Sequence, residues 1–191
     1  MVEALKWFIE SAQRGYHDAQ IQLAKLSAAA LATRHGEMTG FVGSTLVHTN
    51  AGLRPIEEIR HGDLVLTYPD SSSIPKRDRA PYRLADEYLY QPVIEAFSFE
   101  EQVISHVLTL GSTRDNDETL RVTPNQAIWS QNHGWVFASE LKFGHTLVNE
   151  NFSNTLTRKA RHDVERVRVH NITFADHHTY FVGNVGIWVH S

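Results

Sequence analysis

The rhythm of hydrophobic and polar positions changes once along the chain. Over residues 3–33, Ala4, Trp7, Phe8 and Ala12, then Ala19, Ile21, Leu23 and Leu26, recur at helical spacing. Gly15-Tyr16-His17-Asp18 interrupts the run. Glycine suits a helix C-cap because it enters the left-handed backbone region without a Cβ penalty, and Asp18 can cap the next helix through its carboxylate. The pattern predicts two short helices joined by a tight turn. A lone hairpin cannot bury both of its faces, so either further repeats precede Met1 or the hairpin packs on the next domain.

From Gly40 onward the texture becomes short β-type runs punctuated by turns. Thr45–His48, Asp63–Tyr68, Val103–Thr109, Leu120–Val122, Ala127–Ser130, Thr146–Val148, Val164–Thr173, Thr179–Val182 and Ile187–His190 read as strands. Polar loops are expected at Asp70–Ala80, Gly111–Glu118 and Asn149–Asp163. This is a mainly β domain carrying a short N-terminal α-helical hairpin.

An internal repeat sharpens that reading. At a constant spacing of 82 residues, Gly52 aligns with Gly134, Asn50 with Asn132, Glu58 with Glu140, Ile59 with Leu141, Arg60 with Lys142 and Gly62 with Gly144. Each copy, GLRPIEEIRHGDLV and GWVFASELKFGHTL, sets a surface helical turn before a glycine turn that launches a strand. The repeat implies two similar halves about a pseudo-two-fold axis.

Composition removes several function classes. Hydrophobic residues at 41%, charged residues at 21% and a net charge of −4 over 191 residues are ordinary for a globular chain and give no footprint for nucleic acid. The basic clusters Lys76–Arg79 and Arg158–Arg161 read as solvated loops. No apolar run is long enough to span a bilayer, and the first turns, with Glu3, Lys6 and Glu10, lack a signal-peptide core. With no cysteine there is no disulfide, thiolate metal site or thiol nucleophile. Twelve histidines fall in no metal-binding spacing. No nucleophile elbow or phosphate-binding glycine loop appears either, which leaves a hydrolase acting on separate substrates poorly supported.

Two resemblances carry the rest. EALKWFIESAQRGYHDAQIQLAKL, residues 3–26, resembles a Sel1-type repeat, related to the tetratricopeptide hairpin, matching at its Ala, Trp, Ala, Gly, Ala-Gln and Leu positions. Four later motifs, GFVGSTLVHTNAG, IEEIRHGDLVLTY, LRVTPNQAIW with GWVFASELKFGHTLV, and VHNITFADHHTYFVGNVGIWVHS, resemble a Hint (hedgehog/intein) domain of the bacterial pretoxin type. The implied division is a Sel1-like hairpin and linker over 1–36 and an intein-like domain over 37–191.

The Hint resemblance implies chemistry on the chain's own backbone, without a cofactor or metal. In active members a cysteine opens the first motif and attacks the preceding carbonyl; here Gly40 comes after Thr39. The family's Thr-x-x-His positions the scissile peptide and protonates its nitrogen. Thr123 matches, but Gln126 replaces the histidine, and a carboxamide donates hydrogen bonds without shuttling protons. At the C-terminal end of the family's domain, the Asn of a His-Asn pair cyclises and releases the downstream polypeptide. His190 matches and Ser191 replaces the asparagine. The resemblance sets Asn171 and His178 along the active site and makes Asp176 and Tyr180 part of its frame.

All three departures fall on bond-making or proton-transfer positions while the frame is kept. Replacement of the reactive groups, or natural degeneration of the module, gives that pattern. The expected protein is a self-cleaving segment of a bacterial effector, inactive as written, whose partner is its own flanking polypeptide, a C-terminal toxin or cargo. It would reside in the bacterial cytoplasm before secretion as part of a larger effector. The alternative is a non-catalytic Hint scaffold whose Sel1-like helices dock a protein partner.

Overall fold

In a computed structural model of the chain, the structure describes residues 39–69, 89–110, 118–131, 133–149 and 154–191, with the backbone alone for 101–110 and 154–166. The helical hairpin and linker expected over 1–36, the polar loop at 70–80 and the loop at 111–117 lie outside the described residues.

Among the described residues thirteen strands form one continuous antiparallel sheet. In chain order they are β1 (Phe41–Val42), β2 (Leu46–Thr49), β3 (Gly52–Pro55), β4 (Leu64–Thr67), β5 (Leu89–Pro92), β6 (Glu95–Leu110) and β7 (Glu118–Val122). The chain continues with β8 (Ala127–Ser130), β9 (Gly134–Phe137), β10 (Thr146–Val148), β11 (Asn154–Thr173), β12 (Thr179–Val182) and β13 (Ile187–His190). The path runs β1-β7-β6-β11-β10-β8-β13-β12-β2-β4-β5, with β3 added to β2 and β9 to β8. Strand β1 also pairs with β11, Phe41 opposite His170, which closes β1, β7, β6 and β11 into a ring.

The repeated sequence is a repeated structure. Hairpin β2–β3 runs into a 3₁₀ turn at Ile56–Glu58 and then β4; hairpin β8–β9 runs into a 3₁₀ turn at Ala138–Glu140 and then β10. Hairpin β12–β13 lies between the halves, β12 pairing with β2 and β13 with β8. Gly62 and Gly144, with φ of 87° and 86°, occupy the left-handed region where each copy turns into its next strand. Only glycine enters that region freely, which explains why the sequence spacing is marked by glycines.

Two apolar clusters hold the halves together. The larger includes Phe41, Val47, Ile56 and Ile59 from the first half and Ile128, Ala138, Leu141 and Leu147 from the second, bridged by Tyr180, Val182, Ile187 and Val189. The smaller gathers Tyr68, Trp129, Trp135, Val148, Phe181 and Trp188. The three indoles sit with centroids 5.1 Å apart in every pairing. Burying each such side chain contributes roughly 1.5–3 kcal/mol or more, so the central hairpin is fixed from both sides.

Two expectations need correction. The segment expected as a polar loop at Asn149–Asp163 is strand from Asn154 onward, so the basic cluster Arg158–Arg161 lies within β11. Its backbone pairs with β10 over Asn154–Leu156 and with β6 from Leu156. Ladder hydrogen bonds satisfy the backbone whatever the side chains, so a polar, charged sequence can still be strand. Glu118, expected in a loop, begins β7. There its carboxylate accepts Asn184 N at 2.7 Å across to the β12–β13 turn.

Candidate functional site

The first junction is the Thr39–Gly40 peptide, gripped at both ends. Its N–H donates to Thr123 Oγ1 at 3.0 Å, and its carbonyl accepts from Asn171 Nδ2 at 3.3 Å. Gly40 O also accepts Thr123 N at 2.9 Å. Asn171 also donates to Thr39 Oγ1 at 3.0 Å. The orientation of the Asn171 amide is fixed from behind: its Oδ1 accepts Tyr180 Oη and Ile172 N, each at 2.9 Å, so Nδ2 must face the junction. Tyr180 is fully buried, and that burial holds its phenol far above the ordinary range, so it is a permanent donor.

Space at Gly40 is as defined as its hydrogen bonds. Because β1 pairs with β11, a Cβ at this position would lie 2.4 Å from the His170 carbonyl oxygen. Such a contact is well inside van der Waals separation, so any side chain here must move backbone.

The second junction is His190–Ser191. Gln126 Nε2 donates to His190 O at 2.5 Å, and Ser191 N donates to His178 O at 2.7 Å. The His190 ring, through Nδ1, contacts Ser191 O at 2.9 Å. It stands edge-on to Trp135 at 5.3 Å and stacks at 6.0 Å on His178, which is exposed. Gln126 is 1% exposed, and its Oε1 has no hydrogen-bond partner among the described residues. Turning the amide over would set two acceptor oxygens against each other, so Nε2 facing His190 is the only favourable placement.

One turn links the two junctions. Pro124, with its φ fixed near −65°, sits at the second position of Thr123–Gln126, and Gln126 N donates back to Thr123 O at 3.1 Å. Thr123 thus reaches the first junction and Gln126 the second from one rigid unit. Hairpin β12–β13 repeats the arrangement, with Tyr180 behind Asn171 and, one pair along, Thr179 opposite His190.

Gly40, Thr123, Gln126, Asn171, His178, His190 and Ser191 therefore form one connected network. His178 joins it only at the second junction. Asp176 is exposed. Thr39, expected only as the residue before Gly40, also belongs to it, as do the His170 carbonyl and Trp135, which the sequence alone does not single out. A backbone carbonyl leaves no trace in residue identity; Trp135 appears only inside the repeated segment GWVFASELKFGHTL, with no strand expected there.

The chain's likeness to known proteins bears on its fold and family. Several intein structures share the fold. A bacterial intein-like domain from Clostridium thermocellum superposes with a TM-score of 0.66 at 24% identity, covering 81% of this chain and 100% of that one. The gp41-1 intein gives 0.59 at 17% identity, over 81% and 100%. A DnaB intein from Synechocystis sp. PCC 6803 gives 0.60 at 14% identity, over 81% and 99%. The fold is intein-like. The pretoxin HINT domain family matches residues 46–191, and the chain belongs to that family. No curated protein matches it.

Proposed function

We propose that residues 37–191 are a self-processing domain built to cut its own backbone and free a C-terminal segment, a toxin in a bacterial effector, and that the sequence as written is silent at its first junction. The supporting observation is the Thr39–Gly40 peptide, held at carbonyl and nitrogen by Asn171 and Thr123 with no side-chain atom after it to attack. Cleavage chemistry needs an activated nucleophile beside a positioned carbonyl. Here the positioning is kept and the nucleophile is gone. Gln126 and Ser191 stand where a proton donor and a cyclising amide would act. The upstream hairpin would serve as a Sel1-like docking element, and the whole protein would be made in the bacterial cytoplasm and then exported.

A second reading, a Hint frame retained as a peptide-holding scaffold, draws on the 2.4 Å separation between a Gly40 Cβ and His170 O. That site is shaped around glycine. One experiment separates the readings. The triple substitution G40C/Q126H/S191N, with a tail after residue 191, is tracked by intact mass. Loss of the tail over hours supports self-processing; a chain intact after days, though folded by circular dichroism, supports the scaffold.

A further inference from the structure

The geometry points to a second cleavage chemistry, at the His190–Ser191 bond: an N-to-O acyl shift in which Ser191 Oγ attacks the His190 carbonyl carbon. This rests on the self-processing reading above but uses residues present in the sequence as written.

The two junctions are held alike. At the first, a primary amide, Asn171, donates to the carbonyl of Thr39, and the nitrogen of the next residue, Gly40, is anchored by Thr123. At the second, a primary amide, Gln126, donates to the carbonyl of His190, and the nitrogen of the next residue, Ser191, is anchored by the His178 carbonyl. The residue after the gripped carbonyl is Gly40 in one case and Ser191 in the other. Only the second bears a hydroxyl.

That hydroxyl is placed by covalent structure to reach the preceding carbonyl through a five-membered ring, closed by the His190 carbonyl carbon and by N, Cα, Cβ and Oγ of Ser191. Gln126, inadequate as a proton shuttle, suits a different task. A fixed N–H donor in a dry site stabilises the oxyanion that develops on the attacked carbonyl, and it need not titrate to do so. Gln126 is 1% exposed, and its Oε1 has no hydrogen-bond partner among the described residues.

In the step, the Oγ–C bond forms and the C–N bond breaks. The hydroxyl proton ends on the departing Ser191 nitrogen, and the peptide becomes an ester isomer of equal mass. Water then adds across the ester. The products are a chain ending in the His190 carboxylate and a fragment, or a single residue, beginning with Ser191. Asparagine cyclisation, by contrast, cuts after residue 191, so the position of the break distinguishes the two.

The test uses the full chain, once as it stands and once with a tail after Ser191, incubated with and without hydroxylamine and read by intact and peptide mass. The expected products end in His190 carboxylate, or His190 hydroxamate when hydroxylamine intercepts the ester. S191A gives neither. Q126A slows product formation about 100-fold, the usual cost of losing one oxyanion donor, whereas Q126H, which keeps a donor, retains most of it. S191C accelerates the shift and yields a thioester that added thiol captures. A folded S191C chain that gives no thiol-dependent product ending at His190 overturns the inference, as does equal product from S191A. If G40C/Q126H/S191N releases its tail while S191C stays inert, only this inference fails. If both stay inert, the self-processing reading fails with it.

Discussion

The two halves of the domain share one backbone and divide its tasks. In the first half, Thr45 N closes a turn on Val42 O at 2.9 Å, Ile56 N reaches Thr45 O at 2.8 Å and Glu57 N reaches Gly43 O at 3.1 Å. In the second, Gln126 N closes on Thr123 O at 3.1 Å, Ala138 N reaches Gln126 O at 2.9 Å and Ser139 N reaches Pro124 O at 2.9 Å. These are the same bonds, offset by 81 or 82 residues. The offset grows by one because two residues separate β2 from β3 and three separate β8 from β9. Yet the Val42–Thr45 turn only leads away from the strand that brings in the first junction, while Thr123 and Gln126 supply groups that hold both junctions. Symmetry sets where the turn goes; the side chains on one copy decide what it does.

The largest break in this division comes from behind the first junction. N171A removes the grip on Thr39 and leaves the Tyr180 hydroxyl and Ile172 N–H buried without acceptors, at about 1–3 kcal/mol for each orphaned group. We expect roughly 3 kcal/mol of destabilisation in total, read as a lower urea midpoint with an unchanged m-value. A loss under about 1 kcal/mol would mean the amide is dispensable to the frame.

A matched pair then tests the two turns directly. T123V deletes the acceptor for Gly40 N in a site 1% exposed and should cost about 1–2 kcal/mol. T45V, at the equivalent turn position to Gln126 in the other half, deletes a hydroxyl that bonds no N–H among the described residues and should change stability by about 0.5 kcal/mol or less. Equal effects would erase the asymmetry between the halves.

How far the sequence revealed this depends on what each feature asks of a side chain. Strands β8, β10, β12 and β13 were readable to the residue because they are short apolar runs between turn residues. The pseudo-two-fold was readable because Gly62 and Gly144 need a backbone that other residues resist. Strands β1, β3, β5 and β9, the first part of β6 and the Asn154–Asp163 part of β11 were not. Their pairing is secured by ladder bonds, which any residue but proline can make. At the site, the Thr123–Gln126 turn came through a family resemblance. That Tyr180 orients Asn171, and that the His170 carbonyl crowds Gly40, depends on contacts between distant strands that no local pattern encodes.

The smallest expected effect contrasts the turns that come after each 3₁₀ segment. In the first half Asp63 pairs with Arg54 at 3.1 Å and accepts Arg60 N at 2.8 Å. Its counterpart in the second half is His145, stacked on His133 with ring centres 4.5 Å apart. Burial lowers the pKa of both imidazoles below 6.5, and for His145 the charges of His133 and Lys142 add to the effect. The unfolded chain therefore takes up protons at these residues more readily than the folded one. Their contribution to stability is present above about pH 6.5 and is lost as pH falls through the depressed folded values. Glu118 acts in the opposite sense: its carboxyl, raised by burial, favours the fold as it gains a proton. His170, also lowered by burial, adds to the imidazole trend. Urea midpoints measured from about pH 7.5 to about pH 5 should fall for the parent chain and fall less steeply for H133N/H145N, because the double substitution removes two of the three imidazoles held low among the described residues. Parallel slopes would remove the second-half turn as the place where low pH is felt and leave His170, beside Gly40, as the remaining imidazole lowered by burial among the described residues.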